Sequence, residues 1–138
     1  PLSLRKCLFN ENKRVINEDT AKTLLSMLEK VVEDGTSKKA TVNGYRVGGK
    51  SGTAWKTSGA GGYSTDRYRS IFAGIAPIDD PRLVAVVFIE EPTGEFYYGG
   101  DVAAPVFSEI ISQSLQLLSI PPQGFITKPD LVADNKND

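Results

Sequence analysis

Apolar residues recur every three or four positions within the stretch 17–34, and this spacing predicts an amphipathic helix there. Asn17 is a favourable N-cap, and Glu18 and Asp19 place carboxylates in the first turn, where the helix dipole favours negative charge. Gly35 predicts the C-terminal end of this helix. The apolar face, which we expect to be buried, consists of Ala21, Leu24, Leu25, Leu28, Val31 and Val32.

The residues from 45 to 56 predict a strand with an unusual share of glycine. They include Gly48, Gly49 and Gly52. Because glycine contributes no packing and adds backbone entropy, we expect another group to approach this strand closely. The flanking stretches, 37–42 and 57–66, are polar or rich in glycine and predict loops.

Two apolar runs farther along the chain predict an antiparallel hairpin. The first, 70–76, ends at Pro77, and the short turn 79–81 leads into the second, 83–89. This second run is continuous and rich in β-branched residues, which is typical of a central strand buried on both faces.

A second helix is predicted over about residues 103–118, after a turn at Gly99-Gly100. Pro105 fits a first turn, where its missing N–H does no harm. The predicted buried side consists of Val106, Phe107, Ile110, Ile111, Leu115 and Leu118. Pro121-Pro122 should end the element, and the acidic residues 130–138 should be loose. The order of elements predicts an α+β fold, an antiparallel sheet covered by helices.

Composition narrows the class of function. With 138 residues and 40% hydrophobic content, the chain is large enough for one domain with one core. The formal net charge of -1 gives no excess of basic residues of the kind that nucleic-acid-binding proteins use to contact phosphates. There is no histidine, which excludes a Ser-His-Asp triad within this chain, and we expect no metal and no cofactor. The lone Cys7 should be an inert thiol.

The chain has neither a long apolar run nor a signal-like start. No stretch approaches the 18 or so apolar residues of a membrane span. Since the sequence begins with Pro1 and not with methionine, we expect it to derive from a longer protein.

The tetrapeptide Lys50-Ser51-Gly52-Thr53 is the strongest chemical signal. In a strand, Ser51 and Thr53 point to one face, and Lys50 and Gly52 to the other. Two hydroxyls on one face could bind a terminal carboxylate of a peptide that pairs with the strand edge, and a strand N–H could face an oxyanion.

Together with its neighbours, this motif resembles penicillin-binding proteins. The stretch 49–54 is similar to their third active-site motif, Lys-[Ser/Thr]-Gly, and residues 69–77 resemble the strand that follows it. Glu91-Pro92 and the stretch 97–107 resemble the end of class B enzymes, most of all the septum-forming, division-specific type called penicillin-binding protein 3. The resemblance implies that residues 1–122 are the C-terminal part of a transpeptidase domain and 123–138 a loosely ordered tail.

The resemblance also implies roles for individual residues. Lys50 would support the electrostatics and proton network of the nucleophile. Ser51 and Thr53 would bind the carboxylate of a D-Ala-D-Ala stem peptide or of a β-lactam, and the Thr53 N–H would donate to the oxyanion. Gly52 would keep the strand open to the ligand. An aromatic wall around the ligand side chain would be formed by Tyr68, Tyr97 and Tyr98.

The family also needs a nucleophile that this sequence does not contain. The one Ser-x-x-Lys spacing in the sequence, Ser3-Leu4-Arg5-Lys6, does not lie where the family places its nucleophile, well upstream of this segment, so we expect the chain alone to be inactive and to work with an upstream part of the same protein. The resemblance further implies a periplasmic site at the bacterial inner membrane, an anchor upstream, and cell-division proteins as partners. A serine β-lactamase and a non-catalytic sensor or scaffold module remain as alternatives.

Overall fold

A computed structural model of the chain describes residues 14–57 and 63–122. The elements are helix α1 (Glu18–Glu33), a short 3-10 helix (Lys38–Ala40), strands β1 (Gly48–Thr57), β2 (Tyr63–Ala76) and β3 (Leu83–Glu90), and helix α2 (Gly99–Leu117). The strands form one antiparallel sheet in the order β1-β2-β3. The α+β class and the β2–β3 hairpin are therefore confirmed.

The two faces of the sheet are covered differently. One face, here called the inner face, carries Gly49, Ser51, Thr53 and Trp55 of β1, Tyr68, Ser70, Phe72 and Gly74 of β2, and Val87 of β3. Helix α2 packs on it. The opposite face, here called the outer face, carries Gly48, Lys50 and Gly52 of β1, Ala73 of β2, and Val84, Val86 and Phe88 of β3.

The core lies between α2 and the inner face. Phe72 and Phe107 are fully buried there, with ring centroids 4.8 Å apart in an edge-to-face arrangement. Ile111 and Leu115, one and two turns farther along α2, extend the same buried row. The core is completed by small and β-branched side chains from the other elements, namely Val32, Ala40, Val42, Val47, Ala76, Val87, Ala103 and Ala104.

Helix α1 begins and ends where the sequence predicts. The side chain of Asn17 accepts a hydrogen bond from Thr20 N at 2.7 Å. At the other end, a Cβ on Gly35 would lie 2.7 Å from the carbonyl oxygen of Val31, so the exit from the helix requires glycine. The helix crosses the outer face at Gly48, where a Cβ would lie 2.9 Å from Glu29 N. The two helices therefore lie on opposite faces of the sheet.

The predicted burial of α1 was wrong in part. Leu24 is 45% exposed, although the 3.6-residue period placed it on the apolar face, and Leu28 is only half-buried. The buried positions are Val32 and Glu29. The period located the apolar side, but the buried stripe is rotated towards Glu29 because the helix contacts the sheet there.

Several strand boundaries differ from the prediction. Strand β1 starts at Gly48, and Tyr45 forms an isolated bridge with Val42. The predicted loop 37–42 contains the 3-10 helix, and residues 63–66 of the predicted loop 57–66 belong to β2. The polar composition of 63–66 concealed their strand pairing.

The prediction that the run 83–89 is a doubly buried central strand was also wrong. Within the described residues β3 is an edge strand, and β2 is central. Val84, Val86 and Phe88 are 73%, 65% and 52% exposed on the outer face. A continuous apolar run shows that both sides of a strand are apolar, whereas burial depends on whether another element covers each side.

Helix α2 starts four residues earlier than predicted. Gly99 and Gly100 are its first two residues and not a turn, so Pro105 lies inside the helix and not in its first turn. Phe107, Ile111 and Leu115 are buried as expected, but Val106, Ile110 and Leu118 are exposed. The predictions for Cys7, residues 58–62 and the tail 123–138 lie outside the described residues.

Arg46 joins three parts of the fold through its guanidinium group. It donates to both carboxylate oxygens of Glu29 at 2.6 Å and also bonds the carboxylate of Asp79. The Glu29 side chain is 7% exposed, so this bidentate pair compensates a nearly buried charge. The hydrogen bonds with Glu29 raise the pKa of Arg46 above its usual range. Its backbone oxygen accepts from Ile78 N at 2.9 Å, which ties α1 to the turn after β2.

We predict that Arg46→Met lowers the free energy of unfolding by about 2–3 kcal/mol, because it leaves the Glu29 carboxylate buried without its partner. The double variant Arg46→Met, Glu29→Met should recover much of this loss. Urea unfolding of the three proteins measures both effects.

Arg82→Met is the matched control. Arg82 forms a 3.3 Å pair with Asp80, and both side chains are more than half exposed. Its replacement should cost less than about 1 kcal/mol. Equal losses for Arg46→Met and Arg82→Met would show that the Glu29 pair contributes no more than a surface ion pair.

Candidate functional site

An open groove runs along β1 where the strand meets the start of α2. Its volume is about 530 Å³, within the ~300–1,000 Å³ typical of ligand sites. It is lined by Thr36, Lys50, Ser51, Gly52, Thr53, Tyr98, Gly99, Gly100 and Asp101. The structure thus brings the whole predicted tetrapeptide to one concave surface.

The two motif hydroxyls lie on the inner face of β1 and have partners from other elements. Thr53 Oγ1 accepts a hydrogen bond from Gly99 N at 3.1 Å. Ser51 Oγ lies 3.4 Å from Thr36 Oγ1, and either hydroxyl can be the donor. Because each hydroxyl is held by one contact and still lines the groove, both can donate to a carboxylate placed there.

Lys50 projects from the outer face of the same strand. Its Nζ donates to the carbonyl oxygen of Ser51 at 2.7 Å, and its side chain is exposed. The predicted alternation along β1 is therefore confirmed: the Ser51 and Thr53 hydroxyls lie on one face of the strand, and the Lys50 ammonium group lies on the other. The groove wraps around the strand edge and meets both.

The charges around the groove suit an anion. The N-terminus of the 19-residue helix α2 faces it through Gly99 and Gly100, and this end of the helix dipole carries partial positive charge. The acidic member of the lining, Asp101, pairs with Lys39 at 2.8 Å, which offsets its repulsion of a carboxylate. Lys50 adds a full positive charge.

Aromatic rings form a row beside the groove. Tyr68 and Tyr97 are stacked with centroids 4.0 Å apart, and Tyr97 and Tyr98 follow at 4.4 Å. Trp55 meets the edge of Tyr68 at 5.4 Å. The three predicted tyrosines are thus brought together, but of these rings only Tyr98 lines the groove itself.

An ionic cluster fixes the strands at the far end of this row. Lys56 of β1 pairs with Glu90 at 2.9 Å, and Arg69 of β2 reaches Glu90 at 3.2 Å. Hydrogen bonds from Lys56 and then from Arg69 hold the pKa of Glu90 below its usual value. Lys56 also contacts Glu91, whose φ of 51° is left-handed.

The three glycines of β1 have different reasons for lacking a side chain. A Cβ on Gly49 would lie 2.4 Å from the ring of Phe72, and one on Gly48 would meet Ile78 and α1. At Gly52 the nearest atom would be Ile71 Cβ at 3.9 Å, which is ordinary contact. Gly48 and Gly49 therefore serve packing, whereas nothing within the described residues requires glycine at position 52.

Sequence reasoning missed four groove residues: Thr36, Gly99, Gly100 and Asp101. Thr36 carries no motif signal and comes from the connection after α1. The paired glycines predict a turn from the sequence alone, although two adjacent glycines before an apolar helical pattern are also typical of a close helix–sheet contact. Among residues 14–57 and 63–122, no three His, Cys, Asp or Glu side chains are grouped to hold a metal ion.

Comparison with known proteins identifies the family to which the chain belongs. Residues 8–112 match the model of the penicillin binding protein transpeptidase domain. The chain is 45% identical over 139 residues to the probable peptidoglycan D,D-transpeptidase PbpC of Pseudomonas aeruginosa, covering 99% of this chain and 24% of that protein. It is 45% identical over 111 residues to stage V sporulation protein D of Bacillus subtilis, covering 80% and 17%.

A solved structure supports the fold. The apo transpeptidase domain of Burkholderia pseudomallei penicillin-binding protein 3 aligns with a TM-score of 0.74 and 47% identity, over 82% of this chain and 34% of that one. The chain therefore spans about a third of that domain structure and a quarter or less of the two curated relatives.

The glycines of β1 give a direct test of which positions serve the fold. Gly49→Ala should lower the free energy of unfolding by about 1–3 kcal/mol, because the new Cβ displaces the Phe72 ring. Gly52→Ala should be neutral or stabilising by up to about 1 kcal/mol, because alanine restricts the unfolded chain and meets no obstacle.

Urea unfolding of this chain compares the two variants, which carry the same substitution on the same strand. If Gly52→Ala destabilises as much as Gly49→Ala, the outer side of β1 is less open than described.

Proposed function

Since the chain belongs to the penicillin-binding protein transpeptidase family, we propose that it forms the carboxylate-binding part of a peptidoglycan D,D-transpeptidase. The complete enzyme cross-links stem peptides during septal cell-wall synthesis and is acylated by β-lactams. This chain supplies Lys50, Ser51, Gly52 and Thr53, and another part of the same protein supplies the nucleophilic serine and its lysine.

The observation that carries this proposal is the convergence of Ser51 Oγ, Thr53 Oγ1 and the N-terminus of α2 on one groove. A terminal carboxylate there would accept hydrogen bonds from two hydroxyls in a positive field. A D-Ala-D-Ala stem peptide ends in such a carboxylate, and a β-lactam carries one beside its reactive carbonyl.

The substrate backbone would add to the free edge of β1. Within the described residues β1 pairs with β2 alone, so its other edge offers backbone groups to an extended peptide. In this pose the Thr53 N–H donates to the carbonyl oxygen that becomes negative when the serine attacks. The serine expels D-alanine and transfers the acyl group to an amine of a neighbouring stem.

The aromatic row would form a wall for the ligand side chain. Tyr98 meets the groove, while Tyr97 and Tyr68 support it from behind through stacked rings. Such stacking holds an apolar surface rigid at small entropic cost. We propose that Tyr98 contacts the ligand directly and that Tyr68 and Tyr97 fix its position.

The outer face would receive the part of the protein that carries the nucleophile. Lys50 projects from this face on β1, and the exposed side chains of Val84, Val86 and Phe88 lie on the same face of β3. A contiguous apolar surface of this kind marks a contact area. An element packed there would bury these residues and bring its serine and lysine to the Lys50 ammonium.

The cellular setting follows from the same proposal. Peptidoglycan is assembled outside the inner membrane, so the domain acts at its periplasmic side together with cell-division proteins. No helix among the described residues is long and apolar enough to cross a membrane.

The carboxylate role of Thr53 can be tested in the complete protein. Thr53→Val should slow acylation by a penicillin at least about 10-fold, because the isosteric side chain keeps the shape and loses the hydroxyl. Thr53→Ser should stay close to the parent rate. A fluorescent penicillin measures the second-order rate constant.

Thr57→Val is the matched control, since Thr57 lies on the same strand outside the groove. It should leave the rate unchanged. An unaltered rate in Thr53→Val would refute the assigned role of its hydroxyl.

If another part of the protein docks on the outer face, a charged residue placed there should lower the free energy of unfolding only in the complete protein. Val86→Asp should be nearly neutral in this chain alone, where Val86 is 65% exposed. In the complete protein it should lower the free energy of unfolding by at least about 2 kcal/mol, because a carboxylate would be buried without a partner. Denaturant unfolding of both forms makes the comparison.

Leu117→Asp controls for a charge placed on an exposed apolar residue, since Leu117 is 86% exposed near the end of α2. It should be nearly neutral in both forms. A neutral Val86→Asp in the complete protein would place the upstream part elsewhere.

A further inference from the structure

Ser70 on β2 lies next to Thr53 on the neighbouring strand β1, and its side chain is buried. The two residues are register partners on β2 and β1, and both side chains lie on the inner face. Ser70 is fully buried, and its hydroxyl donates to the carbonyl oxygen of Tyr97. Thr53 Oγ1 accepts a hydrogen bond from the backbone N–H of Gly99, which lies two residues after Tyr97. This cross-strand pair therefore holds the segment Tyr97–Gly99 at both ends.

Two glycines allow this segment to approach so closely. A Cβ on Gly99 would lie 2.3 Å from the carbonyl oxygen of Ile71 and 2.5 Å from that of Gly52. A Cβ on Gly100 would lie 2.2 Å from the carbonyl oxygen of Thr36. All three oxygens are backbone atoms, so a side chain at either position would push the start of α2 away from β1. Neither glycine has a left-handed φ, so the constraint is steric and not conformational.

The hydrogen-bond capacity of a hydroxyl explains what this contact does to Thr53. A threonine hydroxyl has one proton and two acceptor lone pairs. The Gly99 N–H occupies one lone pair of Thr53 Oγ1, which leaves the hydroxyl proton and the second lone pair for a ligand in the groove that Thr53 lines. The hydroxyl is thereby prepared to donate before a ligand arrives, and an oriented donor binds an anion without a cost for reorganisation.

We propose that Ser70 is a positioning residue for Thr53, acting through Tyr97 and the Gly99–Gly100 start of α2. Ser70 fixes the carbonyl of Tyr97, the glycines let the helix begin against β1, and the Gly99 N–H then sets the direction of the Thr53 O–H. The inference rests on the proposed function, in which that hydroxyl binds a carboxylate.

The test uses the complete protein and two ligands that differ in one charge. Ser70→Ala should slow acylation by a penicillin about 5- to 10-fold, the effect of one misdirected hydrogen bond to a charged group. With the methyl ester of the same penicillin, which has no carboxylate to bind, the loss should be below about 2-fold. A general loss of folded structure would affect both ligands equally.

Ser108→Ala is the matched control. Its hydroxyl also donates to a backbone carbonyl, that of Thr41, but it lies farther along α2 outside the groove lining. It should change neither rate. If Ser70→Ala does not give folded protein, Ser70→Cys, with a similar size and a weaker donor, makes the same comparison.

A double-variant cycle separates this inference from the proposed function. Ser70→Ala should add almost nothing to Thr53→Val, because its effect passes through the hydroxyl already removed. Equal losses with acid and ester, or full additivity with Thr53→Val, would overturn the positioning role. If Thr53→Val slows acylation while Ser70→Ala does not, this inference alone fails. If Thr53→Val itself has no effect, the carboxylate role fails and the inference with it.

Discussion

The distance between α2 and the sheet is set by one packing arrangement, the seating of two phenylalanine rings over a pair of glycines. Gly49 and Gly74 face each other across β1 and β2 on the inner face. A Cβ on either would lie 2.4 Å from an aromatic ring, that of Phe72 or Phe107. Because interiors pack to crystal-like density, a methyl group here would lift the helix away from the strands. The same close approach brings the start of α2 within hydrogen-bond reach of Thr53.

The groove is thus a consequence of core packing as much as of its own residues. Thr53 would be an ordinary edge-strand threonine if α2 began farther away. With the helix in place, its hydroxyl has a fixed donor in Gly99 N, and Ser51 has Thr36 beside it. The steric limits at Gly99 and Gly100 involve backbone oxygens from β1, β2 and the connection after α1. Four parts of the chain therefore determine one small surface.

Local sequence patterns predicted the positions of the helices and strands better than they predicted which of their side chains are buried. Asn17 marked the start of α1 because capping is a property of a few neighbouring residues, and alternation placed Lys50 and Thr53 on opposite faces because strand geometry alone dictates it. Burial is decided by elements distant in sequence. Leu24 fits the helical period and Val86 lies in a continuous apolar run, yet both side chains are exposed. Likewise Thr36 joins the groove only through tertiary packing, which no short motif encodes.

The plane of the sheet separates two kinds of chemistry. The groups proposed to bind an anion, Ser51, Thr53 and the N-terminus of α2, lie on the inner side of the sheet. Lys50 lies on the outer side, where its hydrogen bond goes to a backbone oxygen and the chain has no histidine to form a proton relay. In the proposed function, the nucleophile and base would therefore come from the outer side of the sheet. That is the side on which Val84, Val86 and Phe88 are still exposed, so burying them and completing the proton network would be one and the same docking event.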